Sequence, residues 1–181
     1  MYHECMKKIL LIAVLGVVAL AGFFLVRLNQ TKEQGVATAN YKDAEYSIEG
    51  ERVRLGNGGT QYFGNELKTD LNDDGREDVV FLLTRQTGGT GTFFYAVAAL
   101  NAESGYIGSD GYFLGDRIAP QTTELSRNPR HVHVVVVNYA ERAAGEPMTA
   151  RASVGVSAYL KLSTSTMQWG IVEPDFEGES R

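Results

Sequence analysis

The segment DLNDDGRED at residues 70–78 constrains the fold of this chain most, because a tight polar turn here runs directly into an apolar segment. Asn, Asp and Gly are turn formers, and their clustering predicts a sharp reversal of the chain. The apolar run Val79–Leu83 follows at once and is typical of a strand in a central position of a sheet. The chain is therefore expected to enter a β-sheet immediately after the turn.

The same segment carries oxygen-bearing groups at the spacing of a calcium loop. Gly75 falls at position 6, where the chain must turn sharply, usually with a backbone angle that only glycine adopts cheaply. Calcium prefers about six to eight oxygen ligands. The predicted ligands are the side chains at positions 1, 3, 5 and 9 and the backbone carbonyl at position 7: Asp70, Asn72, Asp74, Asp78 and Arg76. The alternative interpretation is an acidic surface turn without a metal.

The loop differs from an EF-hand because position 12 is Phe81 rather than Glu, and a β-type run follows instead of a helix. The pattern Asp-x-Asn-x-Asp-Gly-x-x-Asp resembles the strand-linked calcium loops of FG-GAP and VCBS-type repeats. This resemblance implies that the position-9 residue, Asp78, coordinates Ca²⁺. With three carboxylates and no glutamate at position 12, we expect a dissociation constant of about 10⁻⁴–10⁻³ M.

Residues 9–26 form an uncharged apolar stretch, preceded by a lysine pair and followed by Arg27. Its length lies between that of a secretory signal and that of a membrane span. The sequence ALA at 19–21 resembles a cleavage site, but the apolar run continues to Val26 and favours an uncleaved anchor over a cleaved signal. The lysine pair favours a cytoplasmic N-terminus. We therefore expect a single-pass protein of the inner or plasma membrane, with its C-terminal domain outside the cytoplasm.

The expected organisation is a cytoplasmic N-terminus (1–8), the anchor or signal (9–26), a polar linker (27–44), an exported β-rich domain (45–173) and an acidic tail (174–181). The single cysteine of the chain, Cys5, precedes the anchor, so no disulfide is expected in the exported domain. Beyond residue 31 the chain carries 14 basic and 21 acidic residues. Because this part is acidic and lacks a basic stripe, no nucleic-acid partner is expected.

The exported part shows short strand-like segments and no sustained helical period. Residues 153–162 alternate between apolar and polar positions, which predicts a strand with one buried face. Hairpin turns are expected at Glu49-Gly50, Ser109–Gly111, Asn128-Pro129 and Ser163–Ser165, whereas Gly115–Pro120 is expected to be a loop. The predicted fold class is mainly β, or α+β with little helix, arranged as an antiparallel meander or small sandwich after an N-terminal transmembrane helix.

Three other groups of residues were candidates for chemistry. The glycine-rich stretch 87–92 lacks the lysine and the following helix of a phosphate loop, so a connection between strands is expected. His131 and His133 lie two residues apart on a predicted strand and could share a transition metal, although no third ligand lies nearby in sequence. The charged residues of two polar loops are the last group: Asp116, Arg117, Glu141 and Arg142.

Five segments together resemble uncharacterised bacterial membrane-anchored envelope proteins: YFGNEL at 62–67, the loop at 70–78, GGTGTF at 88–93, LGDRIAPQT at 114–122 and NYA at 138–140. The resemblance implies export and a β-rich domain, and it implies no activity. The sequence thus predicts a membrane-anchored, extracytoplasmic, Ca²⁺-binding domain with a non-enzymatic binding or structural role. An envelope protein or a glycan is the candidate partner. The alternative is an envelope hydrolase with acidic residues of the Asp116 and Glu141 loops as acid and base.

Overall fold

The computed structural model of the chain describes residues 38–147 and 149–174. Within this part the chain forms eleven β-strands and one turn of 3-10 helix. The strands are β1 (Tyr46–Ile48), β2 (Glu51–Val53), β3 (Thr60–Thr69), β4 (Asp78–Arg85), β5 (Phe93–Ala102), β6 (Gly105–Gly108), β7 (Tyr112–Asp116), β8 (Ala119–Leu125), β9 (Val134–Glu141), β10 (Val154–Ser163) and β11 (Gln168–Ile171). The predicted span at 9–26 lies outside the described residues, and none of the described helical structure is long and apolar enough to cross a membrane.

Strands β3 to β7 form an antiparallel five-stranded sheet in which β4 lies between β3 and β5. The predicted central position of the apolar run after the polar turn is therefore confirmed. Both β6 and β7 pair with β5, along the edge opposite β4. The hairpin predicted at Ser109–Gly111 is wrong, because Ser109 holds the chain on β5: its N–H donates to the Ala98 carbonyl at 2.8 Å, and its Oγ accepts the Ala98 N–H at 2.8 Å.

The second sheet has four antiparallel strands in the order β11-β10-β9-β8. The turns predicted at Asn128-Pro129 and Ser163–Ser165 join β8 to β9 and β10 to β11, and they are confirmed. The predicted loop Gly115–Pro120 is wrong at both ends, because β7 extends to Asp116 and β8 begins at Ala119. Pro120 is tolerated in β8 because this strand lies at a sheet edge, where a missing N–H is less costly.

The two sheets pack against each other through one apolar core. Alternate residues of β4 and β5 meet residues of β9 and β10 in this core, which includes Val80, Leu82, Ala96, Ala98, Val135, Val137, Leu160 and Leu162. The opposite face of the five-stranded sheet is also buried, since the other residues of β4 and β5 pack under the β1–β2 hairpin. Burial on both faces explains why β4 and β5 are continuously apolar rather than alternating. The predicted mainly β, antiparallel fold is confirmed.

The β1–β2 hairpin covers the outer face of the five-stranded sheet. Its predicted turn at Glu49-Gly50 is confirmed, and both residues have positive φ (54° and 82°), as a tight two-residue hairpin turn requires. Tyr46 packs edge-on against Phe81 with ring centroids 5.4 Å apart. The preceding residues belong to the predicted linker, yet Ala44 is fully buried and Thr38 bridges to Tyr106 of β6. Residues 38–44 thus pack with the sheet.

Candidate metal centre

The loop between β3 and β4 contains the predicted ligands, and its ends are fixed by the pairing of Thr69 with Asp78. Gly75 has φ of +81°, so the expected glycine-specific conformation at position 6 is present. Asp73 also adopts a left-handed conformation, with φ of +60°, which aspartate tolerates better than most residues. The two left-handed residues make the loop compact and expose most of its side chains to solvent.

The Asp70 carboxylate organises the loop through backbone hydrogen bonds. Its Oδ1 accepts the N–H groups of Asn72 at 3.1 Å and Asp74 at 3.3 Å, and its Oδ2 accepts the N–H of Gly75 at 2.8 Å. These bonds, that of Gly75 above all, hold the pKa of Asp70 below its usual value. The side chain therefore stays an anion, the form that a hard cation requires.

Asn72 and Asp74 continue the pattern of oxygens at alternating positions. Asn72 Oδ1 accepts the Asp74 N–H at 3.2 Å, and Asp74 Oδ1 accepts the Arg76 N–H at 2.8 Å. Asp74 Oδ2 receives Asn72 Nδ2 at 2.9 Å and the Arg76 guanidinium at 2.6 Å. The Arg76 N–H is the main cause of a pKa of Asp74 below its usual value. Without an ion, cationic and amide groups of the loop itself thus compensate the charge of Asp74.

Asp78 differs from the other predicted ligands because it is fully buried at the start of β4. Its Oδ2 accepts the Leu71 N–H at 2.9 Å, and its Oδ1 accepts the Asn101 N–H at 2.8 Å. Burial raises the pKa of Asp78 despite these two bonds. Both carboxylate oxygens thus accept hydrogen bonds from backbone amides, and Asp78 joins the loop to the end of β5.

Arg76 also connects the loop to β5, since its Nε donates to the Asn101 carbonyl. Arg76 and Asp78 therefore bind the same residue of β5, since the Asn101 N–H donates to Asp78. The backbone carbonyl of Arg76 remains the predicted position-7 ligand.

His133 contacts the loop from the other sheet, a role that the sequence did not indicate. Its Nδ1 lies 3.0 Å from the Asp70 carbonyl oxygen, and its Nε2 lies 3.0 Å from Asp73 Oδ2. His131 instead lies 2.8 Å from Ser126 Oγ and contacts the ring of Tyr159. The shared histidine site considered from the sequence is therefore not formed, because both residues precede β9 and turn to different partners.

The residues present fit a calcium ion in part. Carboxylate, amide and carbonyl oxygens from Asp70, Asn72, Asp74 and Arg76 are the hard ligands that Ca²⁺ takes. Each carboxylate oxygen of Asp78 accepts one backbone N–H, so Asp78 would share its oxygens between the backbone and the ion. Among residues 38–147 and 149–174, no group of three or more His, Cys, Asp or Glu side chains is arranged to hold a metal. Calcium loops also depend on amide and carbonyl oxygens, which here come from Asn72 and Arg76.

The second predicted site lies at the other end of β4, roughly 23 Å away at the usual rise per strand residue. The structure brings Asp116, Arg117 and Arg142 together. Asp116 binds the Arg117 guanidinium at 2.7 Å and the Thr92 N–H at 2.9 Å, and Arg117 is the main cause of a pKa of Asp116 below its usual value. Arg142 donates to the carbonyls of Asp116 and Arg117 at 3.1 and 3.3 Å.

Glu141, the fourth residue of this predicted site, is exposed at the last position of β9. The glycine-rich stretch 87–92 forms the adjacent β4–β5 connection, as expected. Comparison of the chain with protein-family models, with curated proteins and with solved structures gives no significant match in any of the three.

Proposed function

We propose that the chain is a membrane-anchored extracytoplasmic domain that binds one calcium ion at the β3–β4 loop and has a binding or structural role rather than an enzymatic one. The observation that carries this proposal is the arrangement around Gly75, where Asp70, Asn72 and Asp74 present oxygens at alternating positions on a compact turn. The anchor remains the prediction from residues 9–26.

Bound calcium would replace the groups of the loop that now compensate the charge of Asp74. Asp74 Oδ2 is held by Arg76 and by the Asn72 amide, and both contacts are exposed to solvent. Exchanging these contacts for a divalent ion would cost little, since exposed ion pairs are weak. Because the loop leads directly into the buried strand β4, an ion there would stabilise the fold through mass action.

The test is thermal unfolding of the full chain in detergent, after removal of metal, with increasing calcium. At a calcium concentration about tenfold above the dissociation constant, the stabilisation is about 1.4 kcal/mol, which corresponds to a rise in Tm of roughly 3–6 °C. Asp74→Ala should abolish the rise. Glu77→Gln is the matched control, since Glu77 lies in the same loop but pairs with Lys68 outside the predicted ligand set. An unchanged Tm of the wild type across the titration would contradict calcium binding.

The hydrolase alternative receives less support. A general acid needs a pKa near the working pH, whereas Arg117 and the Thr92 N–H hold the pKa of Asp116 low. Both oxygens of Asp116 accept hydrogen bonds from Arg117, and Arg142 is bound to backbone carbonyls. This cluster is better suited to fixing the β7–β8 turn than to transferring protons.

A further inference from the structure

The β8–β9 loop, residues 126–133, together with Leu125 at the end of β8, differs in character from the rest of this acidic chain. It carries Arg127 and Arg130 and no acidic residue, whereas the chain as a whole has a net charge of −5. The Arg127 side chain is 88% exposed, and its ion pair with Glu124 is long, at 3.5 Å. The loop therefore presents positive charge to solvent.

Two large aliphatic side chains are exposed here, one at the end of β8 and one in the loop. Val132 is 56% exposed and Leu125 is 41% exposed. Exposed aliphatic residues cost free energy in water and are tolerated singly, but here Leu125 and Val132 flank Arg127 and Arg130 at a hairpin end. A short segment that combines exposed aliphatic groups with arginines suits an interface between water and an anionic lipid layer, where the aliphatic groups leave water and the arginines meet phosphates.

The loop is held in a fixed position by contacts at both of its ends. Asn128 is buried, its carbonyl accepts the His131 N–H at 2.9 Å, and its side chain accepts the Arg130 N–H at 3.0 Å. His133 has φ of +55° and is bound to the β3–β4 loop through Asp70 and Asp73. The exposed residues thus stand on an ordered turn, which lowers the entropy lost on docking.

We propose that the β8–β9 loop docks on the anionic phospholipid surface of a membrane, with Val132 and Leu125 entering the headgroup region and Arg127 and Arg130 contacting lipid phosphates. Each arginine near an anionic surface strengthens binding about fivefold. The neighbouring acidic loop opposes docking, so calcium bound there would strengthen it. Only this calcium effect rests on the proposed function.

The test places a polarity-sensitive fluorophore in the loop of the full chain, reconstituted in vesicles. The chain has a single cysteine, so Cys5→Ser with Val132→Cys gives one labelling site. Cys5→Ser with Arg151→Cys labels an exposed position of the β9–β10 connection as the matched control. Because the N-terminal segment is the same in both proteins, its own insertion into lipid contributes equally.

We expect a blue shift of the label at position 132 in vesicles containing phosphatidylglycerol, a much smaller shift in phosphatidylcholine alone, and no shift at position 151. Adding Arg127→Gln and Arg130→Gln should weaken the docked state roughly 25-fold. An equal shift in neutral and anionic vesicles, or none in either, would overturn the proposal. A shift caused by soluble polyphosphate but not by vesicles would assign the loop to an acidic polymer instead, and would also overturn it.

The same measurement in chelator and in calcium separates the two proposals. A blue shift in chelator that becomes larger in calcium would support both lipid docking and calcium binding. Docking that calcium leaves unchanged would support the lipid surface and count against the ion. A calcium-dependent rise in Tm without any blue shift would support the ion and overturn lipid docking.

Discussion

The carboxylate of Asp78 lies 2.9 Å from the backbone N–H of Leu71, across the base of the β3–β4 loop. Its other oxygen binds the N–H of Asn101 at the end of β5. One buried side chain therefore closes the loop and ties it to the neighbouring strand.

Asp78→Asn is expected to destabilise the protein in chelator as well as in calcium. The amide replaces one accepting oxygen by a donor and leaves a backbone N–H unsatisfied, which costs about 1–3 kcal/mol. Chemical denaturation with chelator present measures the change. Glu77→Gln, at an exposed neighbouring position, should change the free energy of unfolding by less than about 0.5 kcal/mol. A loss of stability that appears only in calcium would mean that Asp78 acts as a metal ligand and that its hydrogen bonds do not stabilise the loop.

His133→Asn is expected to loosen the contact between the β8–β9 loop and the β3–β4 loop. Asparagine tolerates the positive φ of 55°, so the variant removes the imidazole contacts with little added backbone strain. We expect a loss of about 1–2 kcal/mol and faster amide hydrogen exchange in residues 70–75. His131→Asn is the control, since His131 contacts Ser126 and not the loop. Equal exchange rates in the two variants would contradict a coupling through His133.

Gly108→Ala should detach the β1–β2 layer from the five-stranded sheet. A Cβ at this position would lie 2.2 Å from the Glu45 carbonyl oxygen and 2.8 Å from the ring of Tyr46. Because backbone must move, a loss above about 2 kcal/mol is expected, measured by denaturant unfolding. Gly155→Ala is the matched strand control, since a Cβ there meets nothing within 4 Å. That variant should be neutral or stabilised by up to about 1 kcal/mol.

Glu66→Gln should lower stability at neutral pH and not at strongly acidic pH. The hydroxyl groups of Tyr41 and Tyr62 donate to Glu66 and hold its pKa below the usual value of 4.5. A folded-state pKa that is lowered gives stability above the unfolded pKa, and this stability is lost as pH falls through the folded pKa. The expected difference near pH 7 is about 0.5–1 kcal/mol, or roughly 1–4 °C in Tm. A difference from wild type that stays constant as the pH falls below 4 would contradict this account.

Local rules predicted much of the fold because the signals are short-range. The hairpin at Glu49-Gly50 and the left-handed Gly75 follow from turn chemistry, and the apolar run of β4 follows from burial on both faces. The same rules failed at Ser109–Gly111, whose turn residues look like a hairpin. There the pairing of both flanking strands with β5 overrides local preference.

The compact loop at 70–75 follows from local sequence alone, because the hydrogen bonds of Asp70 and Asn72 reach residues only two to five positions away. Local sequence also predicts the mainly β, antiparallel character of the domain. Tertiary packing, in contrast, places the oxygens of Asp78 against Leu71 and Asn101 and brings His133, the residue before β9, onto the loop. These contacts depend on the register of β4 on β5 and on the packing of two sheets, which join residues far apart in the chain.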